Sequence, residues 1–125
     1  MVVLPFSQSE YDRRIARTRK AMERYGVDVL FVSSPAGMNW LTGYDGWSFY
    51  VDQGIILTGE GAPYWWGRLM DANGARRTTA LDEGHILSYA DRYIQANDCH
   101  PMDDLADKLR DLGFASAAIG VEMRA

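Results

Sequence analysis

Met38-Asn39-Trp40-Leu41-Thr42-Gly43-Tyr44-Asp45-Gly46-Trp47-Ser48-Phe49-Tyr50 follows an apolar run, Val27 to Val32, and its loop Ser33-Ser34-Pro35. Five of the fifteen aromatic residues lie between Trp40 and Tyr50. Tyr64, Trp65 and Trp66 come soon after. Rings this dense among glycines suit a surface that a partner subunit or a ligand covers, better than a solvated loop. No set of catalytic residues accompanies them. The expectation is a recognition or assembly surface, not a complete active site.

Outward from this stretch the elements read in order. Upstream, Ser7 and Glu10 form a capping box, and Phe6 and Tyr11 are spaced for a hydrophobic staple. Tyr11, Ile15, Met22 and Tyr25 then recur at helical spacing, with Thr18 in the gap, until Gly26 stops the helix. Val27 to Val32 reads as a buried strand, and Asn39 to Gly43 as a short helix or turn. Downstream, 54–58 and 63–66 read as two strands joined at Gly59-Glu60-Gly61. Pro63 favours a strand start. A helix is expected over 68–77, weakened by Gly74, and a strand over 86–89. Pro101 opens a helix through Met102, Leu105, Leu109 and Leu112, and Gly113 ends it. Residues 117–121 form a last strand. Helices between strands imply parallel crossovers, and the central hairpin adds an antiparallel part. The fold expected is α/β: a single domain with a mixed, mostly parallel sheet flanked by helices.

A length of 125 residues fits one domain. With 47% hydrophobic and 24% charged residues the composition is that of a soluble globular protein. The net charge of −4 disfavours nucleic acid as a partner, since such binders carry a basic surplus. No apolar run approaches the ~20 residues that span a bilayer, so no membrane partner is expected. The one cysteine, Cys99, cannot form an internal disulfide, and a cytoplasmic setting is the simplest reading. The chain stops four residues after Val121, with no closing helix, which reads as a cut from a longer polypeptide.

Chemistry is scarce. The two histidines, His85 and His100, are too few for a histidine-based metal site. Asp98-Cys99-His100 reads as a polar loop before a helix, because consecutive side chains diverge. Cys99 beside His100 is not a catalytic dyad by adjacency. No phosphate-cradling glycine loop and no Gly-x-Ser-x-Gly elbow occurs. The arginines of the first helix, laced with Glu10, Asp12 and Glu23, read as a solvated face. Asp103, Asp104 and Asp107 suit the positive end of a helix dipole. Arg68 follows Trp65-Trp66-Gly67 at a strand end, where it could clamp a carboxylate or stack on a tryptophan.

Three segments carry a family resemblance. Arg14 with Met22-Glu23-Arg24-Tyr25-Gly26-Val27-Asp28-Val29-Leu30 resembles the opening of the creatinase/prolidase amino-terminal domain. Asn39-Trp40-Leu41-Thr42-Gly43-Tyr44 resembles that family's asparagine–aromatic–leucine–threonine–glycine–aromatic segment. Ala118-Ile119-Gly120-Val121-Glu122 resembles its strand before the next domain. The continuation Asp45-Gly46-Trp47-Ser48-Phe49 is similar to the branch that includes ectoine hydrolase, which cleaves a cyclic amidine ring. The resemblance implies that residues 1–125 are a creatinase/prolidase-type N-terminal domain and that a C-terminal catalytic pita-bread domain is absent from this chain. It implies a non-catalytic role in dimer assembly and in shaping the substrate entrance of a parent hydrolase for Xaa-Pro peptides or a related small C–N bond substrate. The partners implied are that catalytic domain and a second copy. No cofactor is expected in this domain, while the parent would hold two divalent metals (Mn, Co or Zn) or, as in creatinase, none. Trp40, Tyr44, Asp45, Trp47, Phe49 and Arg68 are the entrance or interface candidates. Creatinase holds substrate with an aromatic and an arginine just after the glycine–aromatic element. Phe49 falls near the aromatic, but Val51 stands near the arginine, which argues against creatine. A stand-alone ligand-binding module and a purely structural dimerisation domain are the competing readings.

Overall fold

A computed structural model describes residues 2–46 and 50–123. The elements are α1 (Gln8–Arg24), β1 (Val29–Val32), α2 (Pro35–Thr42), β2 (Gly54–Leu57), β3 (Tyr64–Arg68), α3 (Ala72–Thr78), β4 (Ile86–Tyr89), α4 (Pro101–Asp111) and β5 (Ile119–Val121). One five-stranded sheet has the order β4-β3-β2-β1-β5. β1–β2 and β2–β3 are antiparallel, while β1–β5 and β3–β4 are parallel. The sheet is thus mixed, with a smaller parallel share than the sequence order implies. The hairpin places β2 between two antiparallel neighbours, leaving parallel pairing to the strands that follow helices.

Helix α1 starts as the sequence predicts, with one difference. Ser7 Oγ accepts from the Glu10 amide, and Phe6 meets Tyr11 edge-on at 6.3 Å. The Glu10 carboxylate, however, bonds the guanidinium groups of Arg13 and Arg14. Two cations within a turn outcompete one backbone amide, so the capping box is half made. Tyr25, expected on the apolar face, is 74% exposed. It sits at the C-cap, where the chain turns away through Gly26 at φ 68°.

Alternate residues of each strand face opposite layers. Ile55, Leu57, Trp65 and Ile86 face one side, under Met22, Met38, Leu41 and Ala75. Val29, Phe31, Ile56, Trp66 and Tyr89 face the other, against Leu105 and Leu109 of α4. Trp65 and Trp66 are both fully buried. The reading of Tyr64, Trp65 and Trp66 as a surface awaiting cover is therefore corrected. The two indoles are core, and half-buried Tyr64 stacks on His85 at 4.4 Å. The helix expected over 68–77 begins later. Arg68 pairs with Tyr89 in the ladder and Leu69–Asp71 forms a 3-10 turn, so α3 starts at Ala72.

Helix α4 is capped by His100. Its Nδ1 accepts from the Met102 amide, and Asp103 accepts from the His100 amide. Asp104 is not a surface dipole partner. It is buried, accepts from Trp66 Nε1 at 2.9 Å and pairs with Lys108 Nζ at 3.1 Å. Trp65 Nε1, by contrast, has no hydrogen-bond partner.

This asymmetry yields a prediction. Trp66→Phe removes the donor facing a buried carboxylate, whereas Trp65→Phe removes a donor with no carboxylate partner. In urea unfolding, Trp66→Phe should cost about 2 kcal/mol more than Trp65→Phe. Equal costs would show that the Asp104 bond carries no stability.

Candidate functional site

The pairing register gathers several chain segments at one end of the sheet. Val32 lies opposite Ile55, Gly54 opposite Trp66, Arg68 opposite Tyr89 and Phe31 opposite Val121. The C-terminal ends of β1, β3, β4 and β5, and the start of β2, therefore share that end. In α/β sheets this is where ligand contacts collect.

A cavity of about 440 Å³ opens there, lined by Tyr50, Asp52, Arg68, Tyr89, Tyr93 and His100 among others. Arg68 Nε lies 3.2 Å from Asp71 Oδ2, and its guanidinium carbon is 5.9 Å from the centre of the Tyr50 ring. Partial burial opposes the Arg68 charge, but hydrogen bonding to Tyr50 and Asp71 outweighs it and raises its pKa above the ordinary value. Arg68 thus stacks on a tyrosine, not on Trp65 or Trp66. On the other wall, Tyr89 donates to the Asp52 carbonyl at 2.7 Å. His100 Nε2 stands 3.7 Å from Asp52 Oδ2. Cation, carboxylate and phenols together suit a ligand bearing both signs of charge. They can hold and orient it. Cys99, in the same lining, donates weakly to the Arg92 carbonyl at 3.7 Å, and burial raises its pKa, so it is a poor nucleophile.

A larger groove of about 920 Å³ runs beside α1, past Tyr11, Ile15, Leu41, Pro63 and Leu81. Arg19 in its wall is spent on the carbonyls of Thr58 and Gly61, tying the hairpin turn to α1. That groove also carries both signs of charge, with Asp12, Lys20 and Glu23 in its lining. We favour the smaller cavity because it lies at the carboxy-terminal ends of the strands.

The expected site residues separate. Trp40 is 41% exposed on α2 and lies 5.3 Å from Arg14, whose Nη1 also bonds the Trp40 carbonyl at 2.9 Å. This places it beside Phe6 and Tyr11, because Arg14 stacks on all three rings. Tyr44 is no surface residue. It is 3% exposed, and its hydroxyl donates to Gln53 Oε1 at 2.8 Å, joining the two ends of the 45–52 segment. Asp45 is exposed, and its amide donates to Thr78 Oγ1 at 3.1 Å. Trp47 and Phe49 lie outside the described residues. Asp52, Tyr89 and Tyr93 escaped the sequence reading as site residues, and His100 was read there only as part of a polar loop before a helix, since only the sheet register brings them to Arg68. Among the described residues no three His, Cys, Asp or Glu side chains gather as a metal-holding group. None of their helices is long and apolar enough to cross a membrane.

The family model for the creatinase/prolidase N-terminal domain matches residues 14–125. The chain belongs to this family. It is 51% identical to ectoine hydrolase of Halomonas elongata over 98% of this chain and 31% of that protein. It is 38% identical to an uncharacterized hydrolase/peptidase of Sinorhizobium fredii, covering all of this chain and 32% of the relative. This creatinase/prolidase domain thus spans about a third of the length of the curated relatives it matches. A dipeptidase from Mycobacterium ulcerans shares the fold with TM-score 0.71 and 24% identity, over 96% of this chain and 31% of that one. The N-terminal domain of a Xaa-Pro dipeptidase from Lactobacillus brevis does so with TM-score 0.68 and 11% identity, over 87% of this chain and 75% of that one.

Burial raises the pKa of both Tyr44 and Tyr89 to about 12. Both raised values mean stability that is whole below the usual tyrosine pKa near 10 and lost as pH climbs toward 12. Alkaline titration followed by tyrosinate absorbance should show a late class of tyrosines coinciding with unfolding. In Tyr44→Phe and Tyr89→Phe variants that late class should shrink. Its persistence in both would refute the assignment.

Proposed function

We propose that this domain is the non-catalytic amino-terminal part of a larger C–N hydrolase, and that the parent acts on ectoine or a closely related small cyclic substrate. The observation that carries the reading is 51% identity to ectoine hydrolase along 98% of the chain. Xaa-Pro peptides are the second reading. They rest on solved structures that share the fold at 24% identity or less.

Within the parent, the end of the sheet that holds Arg68 forms part of the substrate entrance and of the contact between subunits. Exposed apolar side chains support this. Tyr50 in the cavity lining is 73% exposed, Leu69 and Met70, which follow Arg68 in the chain, are 58% and 63% exposed, and Val121 and Met123 add to the same end. Exposed apolar side chains of this size next to polar surface mark interaction sites. Arg68 and Asp52 would orient a substrate carrying an anionic and a cationic group. Tyr50 and Trp40 are the described aromatic candidates for contact with the remainder of the assembly, and Trp47 and Phe49 join them as proposals from the sequence.

Divalent metals, where the parent uses them, would be held by its carboxy-terminal part. The described residues here do not fit such a centre, since Asp52 and His100 are a pair with no third ligand. Water activation and bond cleavage would likewise belong to that part.

The 125-residue chain should leave ectoine intact with or without manganese, while the whole polypeptide opens its ring, followed by proton NMR. Turnover by the short chain would overturn the division of labour. Turnover of a Xaa-Pro dipeptide but not ectoine would favour the second reading. Arg68→Ala in the whole protein should raise KM roughly tenfold with kcat nearly unchanged. An unchanged KM would remove Arg68 from the entrance.

A further inference from the structure

Strand β5 is a poor candidate for a stable edge. It has three residues, and Ile119 and Val121 are 46% and 60% exposed. It gains little from burial, so something else must hold it. Two carboxylates do. At its entrance, Asp28 Oδ2 accepts from the Ala118 amide at 2.9 Å, while the amides of Asp28 and Val29 donate to the Ala118 carbonyl. At its exit, Glu122 reaches across to the loop before α2. Glu122 Oε1 accepts from the Ser33 and Ser34 amides, both at 2.7 Å, and Oε2 accepts from Ser34 Oγ at 2.7 Å.

Three short bonds to one carboxylate are charge-assisted and directional. They also sit on the structure that builds the candidate site. Ser34 is the N-cap of α2, its Oγ accepting from Gly37 N. Gly37 leaves room for this, since a Cβ there would fall 2.8 Å from Ser34 Oγ and 3.3 Å from Glu122 Oε2. Helix α2 leads through Gly43 and Tyr44 into the 45–52 segment that ends at the Arg68 cavity. One side chain therefore ties the last strand to the helix that feeds the site.

We propose that Glu122 is a positioning residue. It fixes the direction in which the polypeptide leaves this domain, and so sets how the catalytic part of the parent faces the Arg68 cavity. The proposal rests on the reading that such a part exists. It adds a specific pivot, placed on the face of β5 opposite Ile119 and Val121.

The test has two arms. In the 125-residue chain, amide exchange at Ser33, Ser34 and β5 is compared among the parent sequence, Glu122→Ala and Glu122→Gln. Glu122→Ala should speed exchange at Ser33 and Ser34 at least tenfold, with β2 and β3 unchanged. Glu122→Gln keeps an acceptor oxygen and should fall between. Unchanged exchange in Glu122→Ala would refute the anchor, whatever the domain's function.

In the whole polypeptide, spin labels on α4 and on the carboxy-terminal part report the distance between the two units. Glu122→Ala should broaden that distance distribution and raise KM at least fivefold, with kcat within twofold and metal content unchanged. Glu122→Gln should recover most of the KM. A loosened anchor in the first arm with an unaltered distance and KM in the second would overturn the positioning role. Turnover of substrate by the short chain would instead overturn the functional reading and leave the exchange result standing.

Discussion

Two successive tryptophans that must both be buried constrain this domain more than any other feature. Trp65 and Trp66 point to opposite faces of β3, as neighbours in a strand must. Each therefore needs its own layer of cover. Met38, Leu41, Tyr44 and Ala75 supply it on one side, and Leu105 and Leu109 of α4 on the other. Truncating either ring to alanine would forfeit about 3–5 kcal/mol, a large share of a small domain's stability. The strand must also sit centrally enough to receive both layers, which fixes the hairpin with β2 and the parallel pairing with β4. Space is made by glycine: the Phe31 ring lies where a Cβ on Gly54 would be, opposite Trp66. The Asp104 carboxylate then satisfies the one indole N–H that faces α4.

Much of this was legible in the sequence, and what was missed has physical causes. The 3.6-residue spacing of Tyr11, Ile15 and Met22, and of Leu105 and Leu109, located the helices correctly. Ile86–Tyr89 was read with its true limits. The family resemblance, carried by Asn39–Tyr44, proved sound. Part of the aromatic cluster, Tyr44, Trp65 and Trp66, was misjudged because composition does not say which way a side chain points. Trp65, Trp66 and Tyr44 went inside, while Trp40 and Tyr50 stayed out. Asp103 and Asp104 are adjacent in sequence and look alike. One caps a helix and the other is buried beneath an indole, a difference set by a tryptophan 38 residues away. The cavity itself was invisible, since it needs the register of β3 against β4 to bring Arg68 beside Tyr89.

The same register gives the domain its polarity. One end of the sheet carries Arg68, Asp52 and His100, with exposed Tyr50 in the same cavity lining. The other carries turns and the C-cap of α1. Among the described residues no three His, Cys, Asp or Glu side chains gather at this end as a metal-holding group, while charges of both signs and phenols line its cavity. The carboxylate of Glu122 belongs to the same end. The curated relatives that the chain matches are about three times its length.

Hydroxyl-radical footprinting of the 125-residue chain and of the whole polypeptide tests the proposed covering of this end of the sheet most directly. Tyr50, Leu69 and Met70 should be oxidised readily in the short chain and shielded in the whole protein, while Tyr25, at the opposite end, should be modified alike in both. Equal modification of Tyr50, Leu69 and Met70 in the two samples would mean that this end of the sheet faces solvent in the assembly, and the account would fail.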